Sequence, residues 1–164
     1  MIRRPALEVR PSRISGLGAY ATRPIARGSR IIEYAGQRIT PDEADVRYEG
    51  GPSVHPLVLL FSVDERTVID AAVNGNDARY INHSCEPNCE AVTRGRRIWI
   101  HALRDIRSGE ELTYDYNLTG DDENQEAEAD QYPCDCKTRS CRGSMFKVDR
   151  GPDGAPERSA DFLR

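Results

Sequence analysis

The chain reads as a mainly β protein with small helices. Short apolar or alternating runs recur along it, and turns rich in glycine or charge separate them at close spacing. The one helix signal opens only a short segment before glycine and proline stop it. In order, residues 1–6 read as a tail, and the alternation Leu7-Glu8-Val9-Arg10 predicts a first strand. Ile14-Ser15-Gly16-Leu17-Gly18-Ala19-Tyr20-Ala21 runs from a glycine-rich turn into a second, and Arg30-Ile31-Ile32-Glu33-Tyr34 is a third. Thr40-Pro41-Asp42-Glu43 joins a capping box to a proline at the first helical position, which predicts a helix over 41–49 ended by Gly50-Gly51-Pro52. Strands follow at Leu57–Val63 and Thr67–Asp70 around an Asp64-Glu65-Arg66 turn. A further hairpin turns at Thr93-Arg94-Gly95-Arg96 into Arg97-Ile98-Trp99-Ile100-His101. The expected organisation is a tail (1–6), a main domain (7–119), an acidic linker (120–131), a cysteine-bearing segment (132–148) and a disordered tail (149–164).

With 164 residues the chain is one domain, long enough to bury about two-thirds of its unfolded surface. No apolar run approaches the ~20 residues of a membrane span, and Met1–Pro5 lacks the apolar stretch of a signal peptide. A net charge of −4 weighs against a duplex-DNA binder and suits a basic peptide partner. Among 23 basic residues only Lys137 and Lys147 are lysines, a bias that suggests a high-GC, bacterial source.

Five cysteines are an odd count, which fits a reducing compartment and a thiolate metal site better than a disulfide framework. Cys134, Cys136 and Cys141 form a C-x-C-x4-C cluster, one ligand short of a tetrahedral zinc shell. Cys85, about fifty residues upstream in sequence, would close it and pin the C-terminal segment onto the middle of the fold. The alternative is a pair of disulfides linking Cys134 and Cys136 to Cys85 and Cys141, since a bridge between residues two apart is strained. Cys89 is left over as a buried free thiol.

Arg79-Tyr80-Ile81-Asn82-His83-Ser84-Cys85-Glu86-Pro87-Asn88-Cys89, then Gly109-Glu110-Glu111-Leu112-Thr113-Tyr114-Asp115-Tyr116, then the C-terminal cysteines resemble, in this order, the SET-domain family of protein lysine methyltransferases. The resemblance covers residues 7–146 and implies a β-clip-type fold of several short sheets with a C-terminal pseudoknot, a post-SET zinc segment and no pre-SET region. It implies S-adenosylmethionine as methyl donor, with Asn82 and His83 contacting it beside Arg79, Tyr80 and Tyr116. It also implies that the Ser15, Gly16, Leu17, Gly18 loop meets the donor's methionine end, and that Met145 and Phe146 fold over the donor and complete the lysine channel. Tyr116 matches the family's catalytic tyrosine, Tyr114 the position that tunes product multiplicity, and Tyr34-Ala35-Gly36 a motif whose tyrosine lies near the active site. Tyrosine at 114 implies mainly monomethylation, with some dimethylation. Leu59 departs from the pattern, since several members carry a tyrosine there.

The function so implied is methylation of lysines in a histone tail or similar basic protein, with one structural zinc ion. The alternative is a catalytically weak module that binds peptides or a complex. Substrate choice falls to the groove itself or to an activating partner protein. No membrane and no specific DNA contact are expected. The setting is intracellular: nucleus or chromatin in a eukaryote, cytoplasm or a host cell for a bacterial protein.

Overall fold

A computed structural model of the chain describes residues 5–50, 59–119 and 129–147. The expected stop at Gly51-Pro52, most of the acidic linker and the C-terminal tail lie outside them. The elements run β1 (Leu7–Pro11), β2 (Leu17–Ala21), β3 (Arg30–Tyr34), β4 (Gln37–Ile39), α1 (Pro41–Arg47), β5 (Leu60–Asp64) and β6 (Thr67–Asp70). A 3₁₀ turn (Asp77–Tyr80) then leads into β7 (Asn82–His83), β8 (Cys89–Arg94), β9 (Arg97–Ala102) and β10 (Thr113–Tyr114).

These form three small sheets: β1-β2, β3-β9-β8-β10-β7 and β4-β6-β5. The alternation of β9 sends Ile98 and Ile100 fully into the core and leaves Arg97 exposed, so the expected hairpin strand lies as its pattern demands. Ile81, Ile106 and Leu112 complete that core, each with no more than 2% of its surface exposed. The capping box at the start of α1 is complete: Glu43 N–H donates to Thr40 Oγ1 at 3.2 Å, and Thr40 N–H donates to Glu43 Oε2 at 2.8 Å. The helix ends at Arg47 with Tyr48 as C-cap, short of the predicted 49. Asp70, fully buried, explains the early stop. It accepts from Arg47 Nη1 at 2.6 Å and from the Tyr48 hydroxyl at 2.8 Å, tying the helix end to β6.

Of the strand expected at Leu57–Val63, Leu57 and Val58 lie outside the described residues; the strand runs Leu60–Asp64, since Asp64 pairs with Thr67 and leaves only Glu65-Arg66 in the turn. The sequence reading passed over β4, whose three residues are too few for a pattern. The two-residue strand β10 decides the architecture. It lies between β7 and β8 and runs parallel to both, with Tyr114 opposite His83 on one side and Cys89 on the other. Asn88 holds the crossing together: its Nδ2 donates to the Glu111 carbonyl at 2.7 Å and its Oδ1 accepts from Thr113 N–H at 2.9 Å.

Candidate active site

Because β10 is wedged against β7, the Tyr114-Asp115-Tyr116 segment reaches the Asn82-His83 pair. An aromatic row follows. Tyr34 and Phe61 have ring centroids 5.3 Å apart, Phe61 and Tyr114 6.1 Å, Tyr114 and Tyr116 4.7 Å, and Tyr116 and His83 5.3 Å. The Tyr116 hydroxyl donates to the Ile81 carbonyl at 2.9 Å, and the Tyr34 hydroxyl to the Leu59 carbonyl at 3.0 Å. Burial pushes the phenols of Tyr34, Tyr114 and Tyr116 well above their ordinary range. At neutral pH they are therefore hydrogen-bond donors rather than bases. A cleft of about 610 Å³ opens beside the row, lined by Phe61, Tyr114 and Tyr116 together with Glu90, Leu103 and Leu118. The sequence reading missed Phe61, since a phenylalanine in a strand pattern carries no functional signal of its own.

A second cluster gathers the N-terminal loop. Asn82 Nδ2 lies 3.0 Å from the Leu17 carbonyl, 3.4 Å from the Ser15 carbonyl, 3.2 Å from Ser12 Oγ and 2.9 Å from Glu111 Oε1. Two amide hydrogens thus face four acceptors. Glu111 also takes the Ser12 hydroxyl at 2.7 Å and the Tyr20 hydroxyl at 3.0 Å. The two glycines of the loop serve different ends. Gly16 has φ +40°, while a Cβ on Gly18 would come within 2.3 Å of Glu111 Oε1. Ser12 and Glu111 were not singled out in the sequence, because a carboxylate in a polar run reads as a solvated one.

Arg79 and Tyr80 occupy the 3₁₀ turn and engage each other: Arg79 Nη2 donates to the Tyr80 hydroxyl at 2.7 Å, and the guanidinium lies 4.8 Å from the Tyr80 ring centre. Phe146 is buried, pairs with Leu118 in a parallel bridge and sits 5.4 Å from the Tyr132 ring. Met145 N–H donates to the Tyr132 carbonyl at 2.9 Å. The segment after the cysteines therefore returns to the strand that leaves the tyrosines.

The sulfurs of Cys85, Cys134, Cys136 and Cys141 all lie within 4.8 Å of one another. Cys85 and Cys134 are 3.7 Å apart, close to the ~3.8 Å edge of a tetrahedron with metal–sulfur bonds of about 2.3 Å. All five cysteines are free thiols, so the disulfide alternative finds no support among the described residues. Arg142 N–H donates to Cys85 Sγ at 3.3 Å and Cys136 N–H to Cys134 Sγ at 3.5 Å, contacts that would favour the thiolate form at both sulfurs. Burial raises the Cys85 and Cys134 thiols, whereas at Cys136 hydrogen bonds from the Cys85 backbone and from Thr138 outweigh burial and lower it. The cluster can hold one tetrahedral metal ion. Cys89 stays apart as a fully buried thiol donating to Asn88 Oδ1 at 3.4 Å, pushed up to about 12 by burial.

His83 links the two regions. Its Nδ1 accepts from Tyr116 N–H at 3.1 Å, so in the neutral ring the proton sits on Nε2, 3.5 Å from Cys85 Sγ. Burial lowers the imidazole to about 4, against an opposing pull from Asp115, and the ring is neutral at pH 7.

A Tyr-Asp-Tyr strand wedged beside an Asn-His pair, with four thiols closing the far side, defines a SET-type domain. The family model for the SET domain matches residues 16–117, and the chain belongs to that family. Among its relatives, the histone-lysine N-methyltransferase trr of Drosophila melanogaster is 42% identical over 138 residues, covering 82% of this chain. The histone-lysine N-methyltransferase, H3 lysine-4 specific, of Schizosaccharomyces pombe is 42% identical over 153 residues, or 87% of the chain. That of Saccharomyces cerevisiae is 43% identical over 143 residues, or 82%. The chain spans only 6%, 15% and 12% of the lengths of these three relatives.

Proposed function

We propose that the chain is an S-adenosylmethionine-dependent protein-lysine N-methyltransferase, acting on histone tails or a similar basic protein and adding mainly one methyl group. The observation that carries this is the aromatic row of Tyr34, Phe61, Tyr114 and Tyr116 ending on His83, beside the Asn82 cluster and an open cleft. The names of the relatives support the reaction class and the histone substrate.

When bound, S-adenosylmethionine supplies an electrophilic methyl group on a sulfonium. The Ser15 and Leu17 carbonyls and the Glu111 carboxylate, gathered around Asn82 Nδ2, would accept from the donor's ammonium group, beside Gly16 and Gly18. Arg79, Tyr80, His83, Met145 and Phe146 complete the donor site. A lysine with a pKa near 10.4 must lose its proton before attack, which costs about 4 kcal/mol at pH 7.4. The buried aromatic walls lower that cost by penalising the ammonium form. Tyr116 and Tyr114, held protonated, orient the amine's lone pair and do not act as bases. The Tyr114 hydroxyl narrows the amine pocket, which favours a single methylation. Cys85, Cys134, Cys136 and Cys141 would hold a structural zinc ion, which would fasten the segment whose Phe146 and Lys147 meet Leu118. The domain spans residues 7–119, with 132–148 as its post-SET segment. It works in a reducing, intracellular setting, on chromatin in a eukaryote.

The test is mass spectrometry of an unmodified histone H3 tail peptide after incubation with the chain and S-adenosylmethionine. One added methyl on a single lysine is expected. Trimethyl-lysine as the main product would overturn the multiplicity. An unmodified peptide, with donor binding intact, would leave a peptide-binding module or an enzyme that needs a partner protein.

A further inference from the structure

We propose that Arg142 is a positioning residue that relays occupancy of the four-thiol site to the tyrosine strand through Asp115. The inference rests on the methyltransferase reading for its catalytic readout only. Arg142 follows the ligand Cys141 directly, and its backbone N–H donates to Cys85 Sγ at 3.3 Å. Its side chain turns the other way and grips Asp115 with both forks, Nη1 to Oδ2 at 2.7 Å and Nη2 to Oδ1 at 2.9 Å. Asp115 stands between Tyr114 and Tyr116. The Tyr116 N–H donates to His83 Nδ1, and the opposite ring nitrogen lies 3.5 Å from Cys85 Sγ. The path therefore closes on itself: cysteine, arginine, aspartate, tyrosine, histidine and back to the same sulfur.

Two features make this more than a tether. The C-terminal segment is already fastened elsewhere, by the Ser140 hydroxyl on Glu86 at 2.6 Å and by Lys147 N–H on the Leu118 carbonyl at 3.1 Å. The arginine is also committed to one direction: among the described residues its buried Nε has no partner, and the two charged hydrogen bonds of the guanidinium both go to Asp115. A metal ion held by Cys85 and Cys141 would stiffen the backbone at 142, and with it the arginine that positions Asp115 between the two tyrosines.

Arg142→Gln and Asp115→Asn break the same ion pair from opposite ends. Each is prepared with zinc, checked for one zinc per chain, and followed by amide hydrogen exchange and by kinetics with S-adenosylmethionine and a histone tail peptide. The expected result is that both variants keep their zinc and the protection of the β9 amides, yet lose Tyr116 amide protection by roughly tenfold or more. kcat should fall by roughly 10- to 100-fold with each KM within about threefold of wild type, and Arg142→Lys should recover part of it. Zinc-loaded variants with wild-type Tyr116 protection, or a change in KM alone, would overturn the proposal. Should Arg142→Gln lose its zinc, Asp115→Asn, outside the cysteine cluster, decides. A wild type that transfers no methyl group would sink the proposed function, while the exchange result would still decide the relay.

Discussion

Tyr116 gives its hydroxyl to the Ile81 carbonyl, and this one bond separates its structural from its chemical role. Tyr116→Phe removes the donor but keeps the ring between Tyr114 and His83. Stability should drop by about 1 kcal/mol, while methyl transfer should fall by at least roughly 100-fold; urea unfolding and initial rates check the two. The buried acids make a second prediction. The ordinary values are 9.0 for the Cys89 thiol and 10.0 for the Tyr34, Tyr114 and Tyr116 phenols, and all four are raised in the fold. Above those values the unfolded chain binds fewer protons than the folded one, so these four groups cost no stability below pH 9 and progressively lower it as pH rises beyond that. In a phenolate absorbance titration, these three of the seven tyrosines should stay silent until the chain unfolds. At this scale the sequence was legible where a motif names the residue, as for Asn82, His83, Tyr114 and Tyr116. It was silent on Glu111 and Ser12, whose meaning comes only from the loop that folds back onto them.

Elements differ in how much of themselves they write locally. The helix α1 is set by a capping box four residues long, and it starts where expected. Thr40→Ala should cost about 1 kcal/mol of stability, measured by denaturant unfolding, with no effect on donor affinity. The strands β7 and β10 have two residues each and no periodicity to read; the parallel pairing around them defines them. The turn between β1 and β2 lies between these extremes. Its glycine pair is visible in sequence, but the reason for Gly18 is the Glu111 carboxylate against it. Gly18→Ala should displace Glu111, loosen Asn82 and weaken S-adenosylmethionine binding by about tenfold, or about 1.4 kcal/mol, in calorimetry. Gly16→Ala should instead cost about 1 kcal/mol of stability through its positive φ.

Across the whole molecule, segments distant in sequence meet at the candidate site: the 12–18 loop, Tyr34, Phe61, and residues 79–89, 109–116 and 134–146. Spacing grouped Cys134, Cys136 and Cys141, the missing fourth ligand pointed to Cys85, and the fold brings all four sulfurs within 4.8 Å. It did not reveal that Arg142 reaches from that cluster to Asp115, since an arginine after a cysteine has many possible partners. Removing the metal with a chelator should therefore lower the melting temperature and stop methyl transfer together, and zinc should restore both. The central claim is that a composite donor site and a tyrosine-lined channel make this chain a lysine methyltransferase. Its most direct test is label transfer from S-adenosylmethionine to core histones by wild type and Tyr116→Phe, with donor binding measured on both. The account predicts label on histone lysines with wild type, almost none with the variant, and the same donor affinity in each. Equal labelling by the two, or no donor binding by wild type, would contradict it.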